Sequence, residues 1–481
     1  MSVPNAFQNR LNRREVLCRA ANGFGGMALS ALLAEWGQAQ AATSNERSLD
    51  PMKVRAPHHK PAATSVIFLF MDGGVSHLDS FDPKERVSKE SGQELPFARP
   101  KHVRAVSPVL FGSPFEFRKY GQCGADVSGL FPQVAECVDD LAIVRSMVAE
   151  HSEHTAGNYF MHSGSGLQGR PSMGAWVTYG LGSPCRDLPG FVVLDTGMIP
   201  PGGVDIFGSG FLPASYQAAP FRKGAHPVAD IAPRESETAL QQGKLGLLRK
   251  LDGRSSARYG PVDEMEASIA NYELAFRMQA AVPGLTDLSG ETEATKKLYG
   301  LDEKDTEEYG RACLMARRMV ERGVRFIELL SPPRPGHDRW DQHAKLKDGH
   351  TTNARATDRP IAGLLKDLKA RGLLGQTVVV WGGEFGRTPT AQGSRGAEGR
   401  DHHPYGFSMW LAGGGVKGGT TYGATDEYGY YAVENKVTVH DLHATVLHLL
   451  GLDHKRLTFP SGGREMRLTD VHGEIVKGIL A

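Results

Sequence analysis

The chain carries little cysteine and arranges it in no pattern: Cys18, Cys123, Cys137, Cys185 and Cys313 form no CxxC and no cluster. That excludes a zinc-finger framework, and the spacing leaves any disulfide pairing open. An excess of charge of either sign is also missing, because 55 Lys and Arg stand against 54 Asp and Glu. No net field draws the chain to nucleic acid or to an anionic membrane. Beyond the N-terminal region no apolar run reaches the roughly 18 residues that a membrane-spanning helix needs. The glycines at 413 to 415 follow a strand-like segment, but no GKS or GKT accompanies them, which excludes a P-loop.

What is present is the length and composition of a full-sized enzyme. The 481 residues suffice for one large α/β core with insertions, and 58 glycines suit many tight strand-to-loop turns. At the N-terminus, Arg13 and Arg14 precede a weak Gly- and Ala-rich apolar stretch from Gly23 to Ala34. Ala39-Gln40-Ala41 then offers a small-x-small cleavage site. This three-part arrangement is similar to a twin-arginine signal, so residues 1–41 are expected to be removed and the protein exported to the periplasm or beyond. Cys18 stands before the apolar stretch, which argues against a lipid anchor.

Residues 42–62 are polar and Pro-containing and are expected to be a linker. Ser65 to Met71 (SVIFLFM) then forms a continuous apolar run, the pattern of a strand buried on both faces. Further strands are expected at Leu141–Val144, Gly190–Leu194, Val324–Leu330, Thr377–Trp381 and Ser408–Leu411. Helical periodicity marks Glu264–Gln279 and Thr306–Arg322, inside a largely helical insertion from Ser236 to Glu308. Ile361, Leu364, Leu365 and Leu368 share a helix face closed by Gly372, and Val439–Leu450 is an amphipathic helix with Asp441 in its first turn. Helix followed by parallel strand is the doubly wound signature.

The densest chemistry lies between Thr377 and Pro404 (TVVVWGGEFGRTPTAQGSRGAEGRDHHP). An apolar strand stops at two glycines and Glu384, and Asp401, His402 and His403 follow. Ligands in open α/β sheets sit beyond the carboxyl ends of the strands, so acid and imidazole placed there suit a divalent cation.

Several longer phrases extend this pattern: GGVSHLDSFDPK, GRPSMGAWVTYGLGS, GFLPA, WDQH, DRPIAGLLKDL with VVVWGGEFGRTP, GRDHHP, and VHDLHATVLHLLGLDHKRLTF. Together they resemble the DUF1501 family, exported proteins within the alkaline phosphatase and sulfatase superfamily. The resemblance spans residues 63–478 and implies an alkaline-phosphatase-like, doubly wound, mostly parallel sheet with helices on both faces and a helical insertion. It also implies hydrolysis of a phosphate or sulfate ester, on a small molecule or polysaccharide, with a divalent metal: zinc or calcium, or else magnesium. The alternative is a non-catalytic binding or scaffold protein that keeps the fold. The sulfatase motif CxPxR is absent, which leaves a formylglycine mechanism unsupported.

Residue by residue, the resemblance puts a metal-binding acid at Asp72, where a turn or capping carboxylate is the other reading. Ser76 stands near the superfamily's nucleophile position and also suits a helix cap. His154 precedes a helix, at a place where the family keeps a histidine. Asp341 and His343, two apart on an extended segment, face one side and suit one metal. Glu384 matches a metal acid, although Phe385 occupies the place of the usual next ligand. Arg387 suits an oxyanion or, alternatively, a carboxylate partner. Of Asp401, His402 and His403, one histidine is expected as a ligand and the other as its support, whereas His440, Asp441 and His443 are expected to serve the helix.

Overall fold

The computed structural model describes residues 51–98, 107–224, 227–228, 238–259, 263–337, 339–392 and 398–481. The signal-like region and the first half of the expected linker lie outside them. A Ser-Val-Ile-Phe-Leu-Phe run gives strand β1 (Ser65–Phe70), whose six residues are all buried. Its side chains alternate between two cores: Ile67 and Leu69 face one, Val66, Phe68 and Phe70 the other. An apolar run without polar alternation is what a strand covered on both faces requires.

Around β1 the sheet contains β2 (Leu141–Val148), β3 (Phe191–Asp195), β4 (Ala219–Arg222), β5 (Phe326–Leu330) and β6 (Thr377–Gly382). A hairpin of β7 (Gly386–Ala391) and β8 (Arg400–His403) precedes β9 (Phe407–Ala412), and β10 (Thr420–Tyr422) and β11 (Val437–Thr438) complete the edge. The order is β10-β2-β9-β6-β1-β5-β3-β4, with β11 also on β2. All pairings are parallel except those of β9 with β2 and β6. No helix intervenes between β6 and β9, so the chain turns back at the rim through the hairpin, and a strand entered that way must run antiparallel.

Helices cover both faces, as a doubly wound sheet demands. The principal ones are α1 (His154–Ser163), α2 (Met173–Leu181), α3 (Thr238–Tyr259), α4 (Asp263–Thr286), α5 (Glu307–Glu321), α6 (Leu346–Ala370) and α7 (Val439–Leu449). Helices α5 and α6 pack in the first core, α2 and α7 in the second. The expected insertion is α3 and α4, and Met278, Val282 and Leu285 of α4 join the first core.

Three differences from the sequence reading have physical causes. Helix α6 begins fifteen residues before Ile361 and runs through Pro360, which removes one backbone donor without ending a helix packed on the core. Residues 51–62, expected as free linker, are pinned to the domain: Arg55 N–H donates to Leu181, and the His58 and His59 amides donate to Gly451. The segment from 151 to 180, whose mix of polar residues, His and Gly reads in the sequence as a loop and one helix, holds two, α1 and α2. Cys123, Cys137, Cys185 and Cys313 are all free. Among the described residues no helix is long and apolar enough to cross a membrane.

Register decides where the chemistry falls. Phe70 is level with both Leu330 and Gly382, so β1, β5 and β6 end together. The segments bearing Asp72, Asp341 and Glu384 therefore leave from one rim.

Candidate metal centre

Two glycines shape the first wall. Gly73 and Gly74 have φ of +105° and +77°, and a Cβ on Gly73 would lie 2.7 Å from the Trp340 backbone nitrogen. Without side chains there, the turn after β1 lies flat against the segment carrying Asp341 and against Phe385. Gly73 N–H then donates to both oxygens of Glu384, at 3.1 and 3.2 Å.

Three imidazoles and one carboxylate converge above this turn. His154 Nε2 lies 3.1 Å from Asp341 Oδ2. The Nε2 atoms of His343 and His402 lie 2.8 and 3.1 Å from Asp341 Oδ1, and 3.0 Å from each other. The opposite ring nitrogen has an acceptor in every case. His154 Nδ1 donates to Glu384 Oε1 at 2.6 Å, His402 Nδ1 to the Ser152 carbonyl at 2.7 Å, and His343 Nδ1 to Gln392 Oε1. With Nδ1 as the donor in each neutral ring, three Nε2 lone pairs and a carboxylate face one another, which a cation satisfies; where no cation binds, ring protons on Nε2 bridge to Asp341 instead. Tetrahedral ligands about 2.1 Å from an ion stand about 3.4 Å apart, close to these separations. The donors fit a divalent metal.

The rest of the environment tightens this group. Burial pushes the Asp341 carboxyl up, but hydrogen bonds from the three histidines and the Arg387 charge outweigh it and hold the group far below the usual carboxylate range. Burial works against a charged His154, yet hydrogen bonds to Asp341 and Glu384 and their charges raise it to about 9 in the metal-free chain. His402 is lowered by burial and by the neighbouring Arg387 and His154 charges. Phe385, which the sequence reading noted as standing in place of a ligand, is a buried packing residue with its ring against those of His154 and His402.

Asp72 lies on the Glu384 side, and with His154 these acids make a second group of closely spaced donors. Burial first, and the Glu384 charge second, push the Asp72 carboxyl up to about 7. Its partner is Arg339, a residue the sequence reading did not single out. Only its closeness to Asp341 in WDQH could have drawn attention to it.

The remaining predicted residues sit elsewhere or act indirectly. Arg387 is fully buried: Nε donates to the Gly74 carbonyl at 2.9 Å, Nη1 to that of Arg400 at 3.1 Å, and Nη2 to Asp341 at 2.6 Å and to the Gly73 carbonyl. It thus orients Asp341 instead of facing solvent. Ser76 is also fully buried, with its hydroxyl donated to Asp79, which is clamped by Arg400 at 2.7 Å, and its amide donated to His350. His403 points away from His402, as adjacent strand residues must, and donates Nε2–H to the Tyr430 carbonyl. Burial lowers His403 to about 3. Asp401 accepts the His402 amide at 2.8 Å and stands 3.9 Å from His343 Nδ1, at the margin of the group. His443 donates to the Met161 carbonyl, and Asp441 completes a capping box with Thr438, both in service of α7.

Comparison with known proteins adds a family. No curated protein matches the chain. Among solved structures, the lipoteichoic acid synthase LtaP from Listeria monocytogenes shares 10% identity, covers 90% of this chain and 80% of its own, and gives a TM-score of 0.32. The PsFucS1 sulfatase from Pseudoalteromonas sp. gives 12% identity, 83% and 69% coverage, and a TM-score of 0.34. An alkaline phosphatase superfamily protein from Vibrio parahaemolyticus gives 10%, 86% and 72%, and 0.35. Likeness at this level carries no argument about activity. Residues 63–480, by contrast, match the family described as Protein of unknown function (DUF1501), and the chain belongs to it.

Proposed function

We propose that this chain is an exported, metal-dependent hydrolase of phosphate or sulfate esters. The observation that carries the reading is the convergence of the His154, His343 and His402 Nε2 atoms on Asp341, with each Nδ1 fixed by an acceptor. Three imidazoles and one carboxylate favour zinc over calcium and magnesium, which prefer oxygen ligands. When bound, such an ion supplies Lewis acidity that polarises an ester oxygen and makes water nucleophilic near neutral pH.

The chain's own residues orient and admit. Glu384, Gln392 and the Ser152 carbonyl hold the three rings in the tautomer that points Nε2 inward. Arg387 fixes Asp341, and Phe385 excludes water from beneath the rings. The solvent-facing side is formed by Asp341, His343 and Arg339, which are 28%, 34% and 24% exposed. Arg339 is the cation there that an anionic ester meets first. Ser76, sealed beneath the site, is replaced as nucleophile by water.

The test is purification of the exported chain, metal analysis, and hydrolysis of 4-nitrophenyl phosphate and 4-nitrophenyl sulfate. Zinc bound, with turnover lost on chelation and restored by zinc, is the expected result. Tightly bound metal without turnover of any phosphate or sulfate ester would leave the alternative, a binding protein with a structural ion. Export rests on Arg13 and Arg14, and unchanged export of Arg13→Lys/Arg14→Lys would remove it.

A further inference from the structure

The two groups of candidate ligands share His154. A neutral imidazole has one lone pair to offer, and His154 spends its Nδ1 hydrogen on Glu384. The ring therefore serves one ion, through Nε2, on the Asp341 side. That leaves Asp72 and Glu384 as the donors on the other side. Both oxygens of Glu384 accept the Gly73 amide, and Oε1 accepts the His154 Nδ1–H hydrogen bond as well. Phe385 brings a ring with no lone pair to coordinate.

Asp72 is already neutralised by a cation of the chain itself. Arg339 Nη1 pairs with Asp72 Oδ2, while Nη2 donates to the Ile199 carbonyl at 3.1 Å and so holds the guanidinium in place. Asp72 Oδ1, in contrast, is buried beside the Asn158 side chain with no charged partner of its own, so this carboxylate keeps coordinating capacity if the arginine leaves.

We propose that the centre holds a single divalent ion, on His154, Asp341, His343 and His402, and that the Arg339 guanidinium stands on Asp72 in place of a second ion. The inference rests on the metal reading given above and deepens it. The substrate anion then meets one metal and one arginine. A guanidinium contributes a fixed positive charge and planar donors, but it cannot activate water, so all Lewis acidity resides in the His3Asp group. The acids on the Asp72 side serve to orient His154 and Arg339.

The experiment counts ions. The whole chain is stripped with chelator, reloaded with zinc chloride at pH 8, desalted and analysed by mass spectrometry for zinc, with isothermal titration alongside. Wild type should hold one ion per chain, and so should Asp72→Asn and Arg339→Lys. Arg339→Gln should hold two, the second lost in Arg339→Gln/Asp72→Asn. Arg339 lies at the solvent-facing rim, and Arg339→Ala, also expected to hold two ions, takes the place of Arg339→Gln should that variant fold poorly. Two ions in wild type, one of them lost with Asp72→Asn, overturns the proposal while leaving the metal reading intact. A count of one in folded Arg339→Gln overturns the role given to the arginine. A wild-type chain that takes up no zinc sinks the metal reading itself, and the two failures are thereby told apart.

Discussion

Glu384→Gln separates a ligand from a carboxylate that orients a ligand. In the metal-free chain Glu384 and Asp341 hold a proton on His154, whose pKa lies at about 9. At pH 7.5 such a ring is largely protonated, so binding an ion through Nε2 must expel a proton. Because the metal requires the neutral ring, affinity rises with pH, by about tenfold or about 1.4 kcal/mol per unit, until pH passes the His154 value and this dependence ends. Gln at 384 keeps an oxygen that accepts Nδ1–H but removes the charge that makes His154 basic. Loss of such an outer partner typically costs about 10–100-fold in metal affinity. The variant should also release fewer protons at pH 7.5, because its His154 titrates lower. The assay is competition with a chromophoric chelator between pH 6.5 and 8.5, combined with calorimetry in buffers of different ionisation enthalpy. His154→Ala, which loses the Nε2 donor outright, should weaken binding well beyond Glu384→Gln. If the two variants lose equal affinity, Glu384 touches the ion directly and the orientation argument fails; if Glu384→Gln binds like wild type, the carboxylate is irrelevant to the centre.

Three further outcomes follow from buried contacts. His162 Nε2 and Glu328 Oε1 form a 2.6 Å pair inside the second core, and although burial disfavours a charged ring, the Glu328 charge and hydrogen bond raise the His162 pKa. Its stabilising contribution is therefore complete below about pH 6.5 and fades as pH rises through the raised folded value; His162→Gln should cost about 3–5 kcal/mol in urea denaturation at pH 6, since Glu328 is left charged and unpaired. Gly73→Ala places a Cβ 2.7 Å from the Trp340 nitrogen at positive φ, so it should lower stability by about 1–3 kcal/mol and weaken zinc binding, read by thermal melts and chelator competition. Ser76→Ala removes a hydrogen bond to the buried Asp79 carboxylate and should cost about 1.5–3 kcal/mol of stability while ester hydrolysis stays within about tenfold of wild type. Abolished turnover in a folded, metal-loaded Ser76→Ala would make the serine the nucleophile after all.

The α/β class was legible because burial on two faces writes a simple pattern. The apolar runs of β1, β5 and β6 and the one-sided spacing of Ile361, Leu364, Leu365 and Leu368 read directly as central strands and a covering helix. The hairpin at 386–403 was invisible, since Arg387, Thr388, Pro389 and Arg400 do not alternate polar with apolar; its strands are held by the Arg400–Asp79 contact and by backbone pairing. Asp341, His343 and Glu384 were found as candidates because acid and imidazole beyond a strand end are chemically conspicuous.

Which of the candidates meet was decided in three dimensions. His402 enters the group and His403 leaves it because neighbouring residues on a strand face opposite ways, and the phase of β8 is set by its pairing with β7. Arg387 suited an oxyanion or a carboxylate equally by sequence, and it is buried on Asp341 because the glycine turn after β1 brings two carbonyls within reach of its fork. Arg339 acquires its place only because β1 and β5 end level, which carries Asp72 to a residue 267 positions away. The sequence alone therefore determined the sheet, its rim and the kinds of side chain gathered there. Tertiary structure decided their partners, because tautomers, ion pairs and ligand directions depend on contacts between segments that the local pattern of the chain does not encode.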